Sequence, residues 1–66
     1  MNTNELKKAM IDANMKAKDC AAVLGITESS FSRKMSGKTD FWSGEIIKLV
    51  KCLNLREAQI MAIFFD

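Results

Sequence analysis

Apolar residues recur at spacings of three and four along most of the chain, and no stretch alternates as a half-buried strand would. Proline is absent, and the glycines fall at positions 25, 37 and 44. This pattern predicts an all-α protein of five short helices. Leu6, Ala9, Met10 and Ala13 form the inward stripe of a first helix, from about Thr3 or Asn4 to Ala13, with Lys7, Lys8 and Asp12 toward solvent. Asn14 ends that helix and Met15 carries the connection into the core. A second helix is expected over about Ala17 to Leu24 and a third over about Glu28 to Ser36. Gly37 closes the third, and the loop KTDFW leads to a fourth, roughly Trp42 or Ser43 to Leu53. Its apolar face carries Ile46, Leu49, Val50 and Leu53. Asn54 and Leu55 make the next turn, and a fifth helix runs from about Arg56 to Phe65, turning Ile60 with Ile63 or Phe64 inward.

The stretch KAKDCAAVLGITESSFSRKMSGK holds the second and third helices with Gly25 at the bend between them. Two short helices joined by a tight glycine turn form the DNA-reading helix-turn-helix pattern. Ala21 is small where a bulkier side chain would hold the helices apart, and Leu24 and Ile26 anchor the turn from both sides. Thr27 is suited to cap the third helix by accepting from an early backbone N–H. That helix then exposes serines and an arginine, little of it apolar.

Sixty-six residues suffice for one domain, spanning 1–66, with a single apolar cluster as its core. The 48% apolar and 27% charged composition suits a folded globule, and no apolar run reaches membrane-spanning length. The N-terminal MNTNELKK lacks a hydrophobic signal region, which leads to the expectation of a cytoplasmic protein. In that reducing compartment Cys20 and Cys52 are expected as free thiols, Cys20 as a small buried apolar residue. Histidine is absent and two cysteines do not make a zinc site, so no metal or other cofactor is expected. Without histidine, paired carboxylates or a phosphate-cradling glycine loop, an enzyme is not expected either.

The net charge of +2 is modest, but it is unevenly spread. From Asn14 to Lys38 the basic residues Lys16, Lys18, Arg33, Lys34 and Lys38 outnumber the acidic Asp19 and Glu28, a local balance of +3, whereas the remainder balances to −1. That is the distribution of a phosphate-facing surface, though a solvated charged face has the same composition. At about 100° per residue, turning Phe31 inward brings Met35 beside it and sends Ser29, Ser32, Arg33 and Ser36 outward. Arg33 is long enough to bridge guanine O6 and N7; otherwise it is a phosphate clamp. Glu28 can accept from a base amino group or simply favour the helix start. Lys34 flanks the core face, its stem packing while its ammonium escapes to solvent or phosphate. Lys16, Lys18 and Lys38 are suited to grip the DNA backbone, with Ser36 and Ser43 as further phosphate contacts. The N–H groups near Ser43 to Glu45 offer another anion site. Trp42 reads as a core or hinge aromatic rather than a DNA contact. Met61 and Phe65, one turn apart, form either a self-complementary dimer patch or part of the buried face of the last helix.

These residues resemble the lambda-repressor and Cro family of helix-turn-helix proteins, which includes xenobiotic-response-element-type regulators and many phage switch proteins. The likeness runs through nearly the whole chain and is strongest in AAVLGITESSFSRKMSGK, where Ala21, Gly25, Ile26, Phe31 and Gly37 take the family's core and turn positions. It implies a five-helix repressor domain that binds pseudo-palindromic double-stranded operators as a homodimer. By the same resemblance Ser29, Ser32 and Arg33 would read bases, with Glu28 a further candidate. Three positions depart from the family. Ala17 replaces a phosphate-binding glutamine, Met10 and Met35 replace a buried arginine–glutamate pair, and Lys34 replaces an apolar residue. The exchange of a whole buried ion pair for apolar side chains is often neutral or stabilising. A protein-contact role, such as an antirepressor binding a repressor or polymerase, is the alternative.

Overall fold

Five helices form over residues 1–65, the part described by the computed structural model: α1 Thr3–Asp12, α2 Ala17–Leu24, α3 Glu28–Met35, α4 Ser43–Cys52 and α5 Glu57–Phe64. Residue 66 of the expected domain lies outside the described residues. Each helix ends within a residue or two of its expected bounds. Ala13, Ser36 and Leu53 stand just outside as C-terminal caps, and Arg56 precedes α5 as its N-cap.

The starts of the helices use two kinds of cap. Asn2 and Thr27 accept through their own side chains, from the N–H of Glu5 at 3.2 Å and of Ser30 at 3.1 Å. Lys16, Trp42 and Arg56 have no side-chain acceptor to offer. There a residue three positions on reaches back instead: Asp19, Glu45 and Gln59 accept from the N–H groups of Lys16, Trp42 and Arg56 at 2.9, 2.9 and 2.8 Å. This is one half of a capping box.

The ends of α1 to α4 share one device. A left-handed residue stands one or two positions past the helix, and its N–H and that of its successor return to carbonyls three and five positions back. Gly25 (φ 73°) and Gly37 (φ 86°) take this conformation freely, while Asn14 (φ 55°) and Asn54 (φ 52°) tolerate it. The successor at three of the four sites is apolar: Met15, Ile26 and Leu55 turn back against the core. After α3 it is the exposed Lys38, whose N–H donates to Arg33 O at 3.0 Å. α3 is thus closed by a charge where α1, α2 and α4 are closed by an apolar contact.

Every helix sends one side chain into full burial: Leu6, Cys20, Phe31, Leu49 and Ile63. Around them α2 packs on α3 and α4, and α1 on α5. The start of α1 is stitched to two other elements, with Asn2 N–H donating to Ile63 O at 2.8 Å and Thr3 Oγ1 to Met35 O at 2.6 Å. An edge-to-face ladder, Phe31 to Phe41 at 5.8 Å and Phe41 to Phe64 at 6.0 Å, ties α3 through the α3–α4 loop to α5. Phe41 thereby turns the loop into a core element. The KTDFW segment has the composition of a connection, and nothing in its spacing marks this role.

Candidate nucleic-acid interface

The helix-turn-helix forms as its residues require. The N–H groups of Gly25 and Ile26 donate to Ala22 O and Ala21 O at 3.2 and 3.0 Å, which makes the bend. Ala21, four residues before Gly25, is buried. Two residues later Thr27 caps α3, so the helix restarts at once in a new direction.

Glu28, Ser29, Ser32 and Arg33, the four residues expected to read bases, are all exposed on α3, and Phe31, Lys34 and Met35 are buried behind them. With eight residues α3 is about 12 Å long, a length that lies readily in a major groove of about that width. Glu28 stands in its first turn, and Arg33 in its last, where a cation suits the helix dipole. Lys16, Lys18, Ser36, Lys38 and Ser43 are exposed as well. The Ser36 hydroxyl donates to Arg33 O at 3.0 Å, leaving its oxygen as an acceptor rather than a donor toward phosphate.

Lys34 departs from expectation. Its ammonium does not escape to solvent: the residue is 7% exposed, and Nζ lies 3.0 Å from Asp40 O and 3.2 Å from Glu45 Oε1. It also stands 6.0 Å from the centre of the Phe41 ring. Without Lys34, the exposed cations of the helix-turn-helix segment are Lys16, Lys18, Arg33 and Lys38. The buried ammonium instead fastens α3 to the loop and to the start of α4. A sequence signal did exist, in the lone cation on a core face, but its partner Glu45 lies eleven positions on in another helix.

The start of α4 is likewise more occupied than expected. Glu45 places its own carboxylate there, accepting from Trp42 N–H at 2.9 Å. Lys34 neutralises that carboxylate, so the N–H groups of Ser43 to Glu45 do not face an uncompensated negative charge. Asp19 holds the equivalent place at α2, where Ala17 has no side-chain donor for a phosphate.

Trp42 departs from the expectation of a core aromatic. It is 75% exposed, and it borders a groove with Ser30 and Arg33 of α3 and Thr39 and Phe41 of the loop. Phe41 has taken the inward position beside it.

Met61 and Phe65 stand 53% and 63% exposed, one turn apart, so the packing of α5 does not bury them within the chain. Met10 and Met35 lie in the same apolar cluster, and among the described residues no buried polar side-chain atom lacks a hydrogen-bond partner. The cysteines are free; burial, followed by the neighbouring Cys52 and by Asp19, pushes the Cys20 thiol from 9.0 up to about 11. Burial pushes Cys52 up too, against a lowering backbone hydrogen bond. No helix among the described residues is long and apolar enough to cross a membrane.

Five helices, a glycine-bent second and third, and a polar outward face on the third define a helix-turn-helix DNA-binding domain. Residues 5–66 match the family described as the Cro/C1-type helix-turn-helix DNA-binding domain, and the chain belongs to that family. The general role of such a domain is that of a DNA-binding regulator of transcription. No curated protein and no solved structure matches the chain significantly.

Proposed function

We propose that this chain is a sequence-specific repressor of the Cro-like kind, which sets α3 into the major groove of a pseudo-palindromic operator as one half of a homodimer. The observation that carries the reading is the division of α3 into an exposed polar face, Glu28, Ser29, Ser32 and Arg33, and a seated one, Phe31, Lys34 and Met35. Arg33 reads guanine through two parallel bonds, the serines bond base edges or phosphates over short distances, and Glu28 accepts from a base amino group. Lys16, Lys18 and Lys38 hold the phosphates on either side, with Ser43 as a lesser contact and Ser36 another once its hydroxyl turns from Arg33 O. Met61 and Phe65 supply the dimer contact, being apolar, adjacent and exposed.

Selection of bound duplexes from a random pool tests this directly: a preferred site with two-fold symmetry is the expected result. Affinity for that site should fall steeply with salt, by roughly 0.9 decade per decade of salt for each phosphate contact. Light scattering should find two protomers on the selected duplex. Ala17, which withholds a family phosphate contact, favours the protein-contact alternative; absent or salt-insensitive duplex binding would support it over the repressor.

A further inference from the structure

We infer that the Trp42 indole is a DNA-backbone contact, lying against the deoxyribose–phosphate edge of the strand beside α3 with its Nε1–H donating to a phosphate oxygen. The inference rests on the reading of α3 as the groove-inserted helix. Three observations lead to it.

The first is the exposure of a side chain that rarely stands free. Phe31, Phe41 and Phe64 form the core ladder, whereas Trp42 is 75% exposed. An indole presents a large apolar face and a single polar donor, a combination suited to a partner that is apolar on one part and acceptor-only on another. A deoxyribose joined to a phosphate has that character. Among the described residues no group accepts from the indole N–H.

The second is that the side chain hangs from a fixed backbone. Trp42 N–H donates to Glu45 Oε1 at 2.9 Å, Trp42 O accepts from Ile46 N–H at 2.9 Å, and Lys34 Nζ holds the Asp40 carbonyl two residues earlier at 3.0 Å. Presentation on a fixed backbone lowers the ordering entropy that a contact must overcome.

The third is position and charge. The groove that Trp42 borders is also lined by Arg33 and Ser30 of α3, so a duplex engaged by Arg33 passes beside the indole. Lys38 is exposed in the same α3–α4 connection. Of the acids nearby, Glu45 is neutralised by Lys34, which leaves Asp40 as the exposed carboxylate on the groove. This balance of Arg33 and Lys38 against Asp40 favours an anionic polymer over an acidic or neutral peptide.

Trp42 is the single tryptophan and tyrosine is absent, so its emission reports this site alone. The full chain is titrated with the duplex recovered from random-pool selection and with a scrambled duplex, while binding is followed independently by mobility shift. Without DNA, emission should be that of a water-exposed indole and independent of protein concentration. On saturation with duplex it should shift to the blue, and acrylamide quenching should fall severalfold. Trp42→Ala should weaken both duplexes alike by about tenfold, Trp42→Phe by less, with unchanged thermal midpoints. Bound duplex with unchanged quenching overturns the Trp42 contact and leaves the α3 reading standing. An emission shift on concentrating the protein alone overturns it in favour of contact between protein copies. Absence of any mobility shift overturns both readings together.

Discussion

The Lys34 ammonium and the Glu45 carboxylate meet at 3.2 Å across the gap between α3 and α4, with side chains only 9% and 16% exposed. The pair joins α3 to the start of α4. Glu45 uses the same oxygen to cap Trp42, so one carboxylate serves both the helix start and the interhelical tie.

Lys34→Met should therefore destabilise the fold by roughly 3 kcal/mol, because it leaves Glu45 buried without its counter-charge. It should also weaken DNA binding, by returning a negative charge to the N–H groups at the start of α4. Adding Glu45→Gln should recover most of both, since glutamine keeps the bond to Trp42 N–H and carries no charge. Urea denaturation and duplex titration of the single and double variants check this. Equal losses in the two would mean that the stranded carboxylate is not the cause.

Arg33 and Lys38 should separate reading from gripping. Arg33→Ala is expected to cost about 1 to 3 kcal/mol on the preferred duplex and to relax preference at one base pair. Lys38→Ala should lower affinity for preferred and scrambled duplexes equally. Competition binding against a set of single-base variants measures the difference. A uniform loss from Arg33→Ala would reassign that side chain to phosphate.

The turn makes a graded prediction. A Cβ added at Gly25 meets no atom within 4 Å, so Gly25→Ala suffers only the left-handed backbone, about 1 kcal/mol. Ala21 is buried under the turn, and Ala21→Leu should overpack it and lose more, roughly 2 to 3 kcal/mol. Thermal unfolding of the two variants ranks them, and the reverse order would contradict the packing described for the bend.

Cys20 should make the fold alkali-sensitive. Its thiol sits at about 11 in the folded chain against 9.0 ordinarily, so the folded state holds the proton more tightly than the unfolded one. The resulting stability is complete below pH 9 and is lost as pH rises from there through about 11. Denaturation between pH 8 and 11 should show a steeper decline for the native sequence than for Cys20→Ala, whose baseline is lower. Parallel curves would assign the alkaline decline to other groups.

Much of this molecule was legible in its sequence because the governing interactions are local. Helix periodicity, the caps at Thr27 and the glycines, and the left-handed asparagines act within five residues, so five helices and the outward face of α3 follow from spacing alone. The same locality explains why Met61 and Phe65 could be placed one turn apart but not assigned as buried or exposed. That depends on what α5 packs against.

Lys34, Phe41 and Trp42 belonged to the tertiary structure. A lysine on a core face, a phenylalanine in a loop and a tryptophan before a helix each admit several placements, and the sequence contains no periodicity to choose among them. The choice came from partners far along the chain: Phe31 and Phe64 claimed Phe41, Glu45 and Asp40 claimed Lys34, and Trp42, its neighbour seated inward, was left outside. Local spacing determines which way a helix faces, and only the packing of distant segments determines which charge is paired and which aromatic remains free.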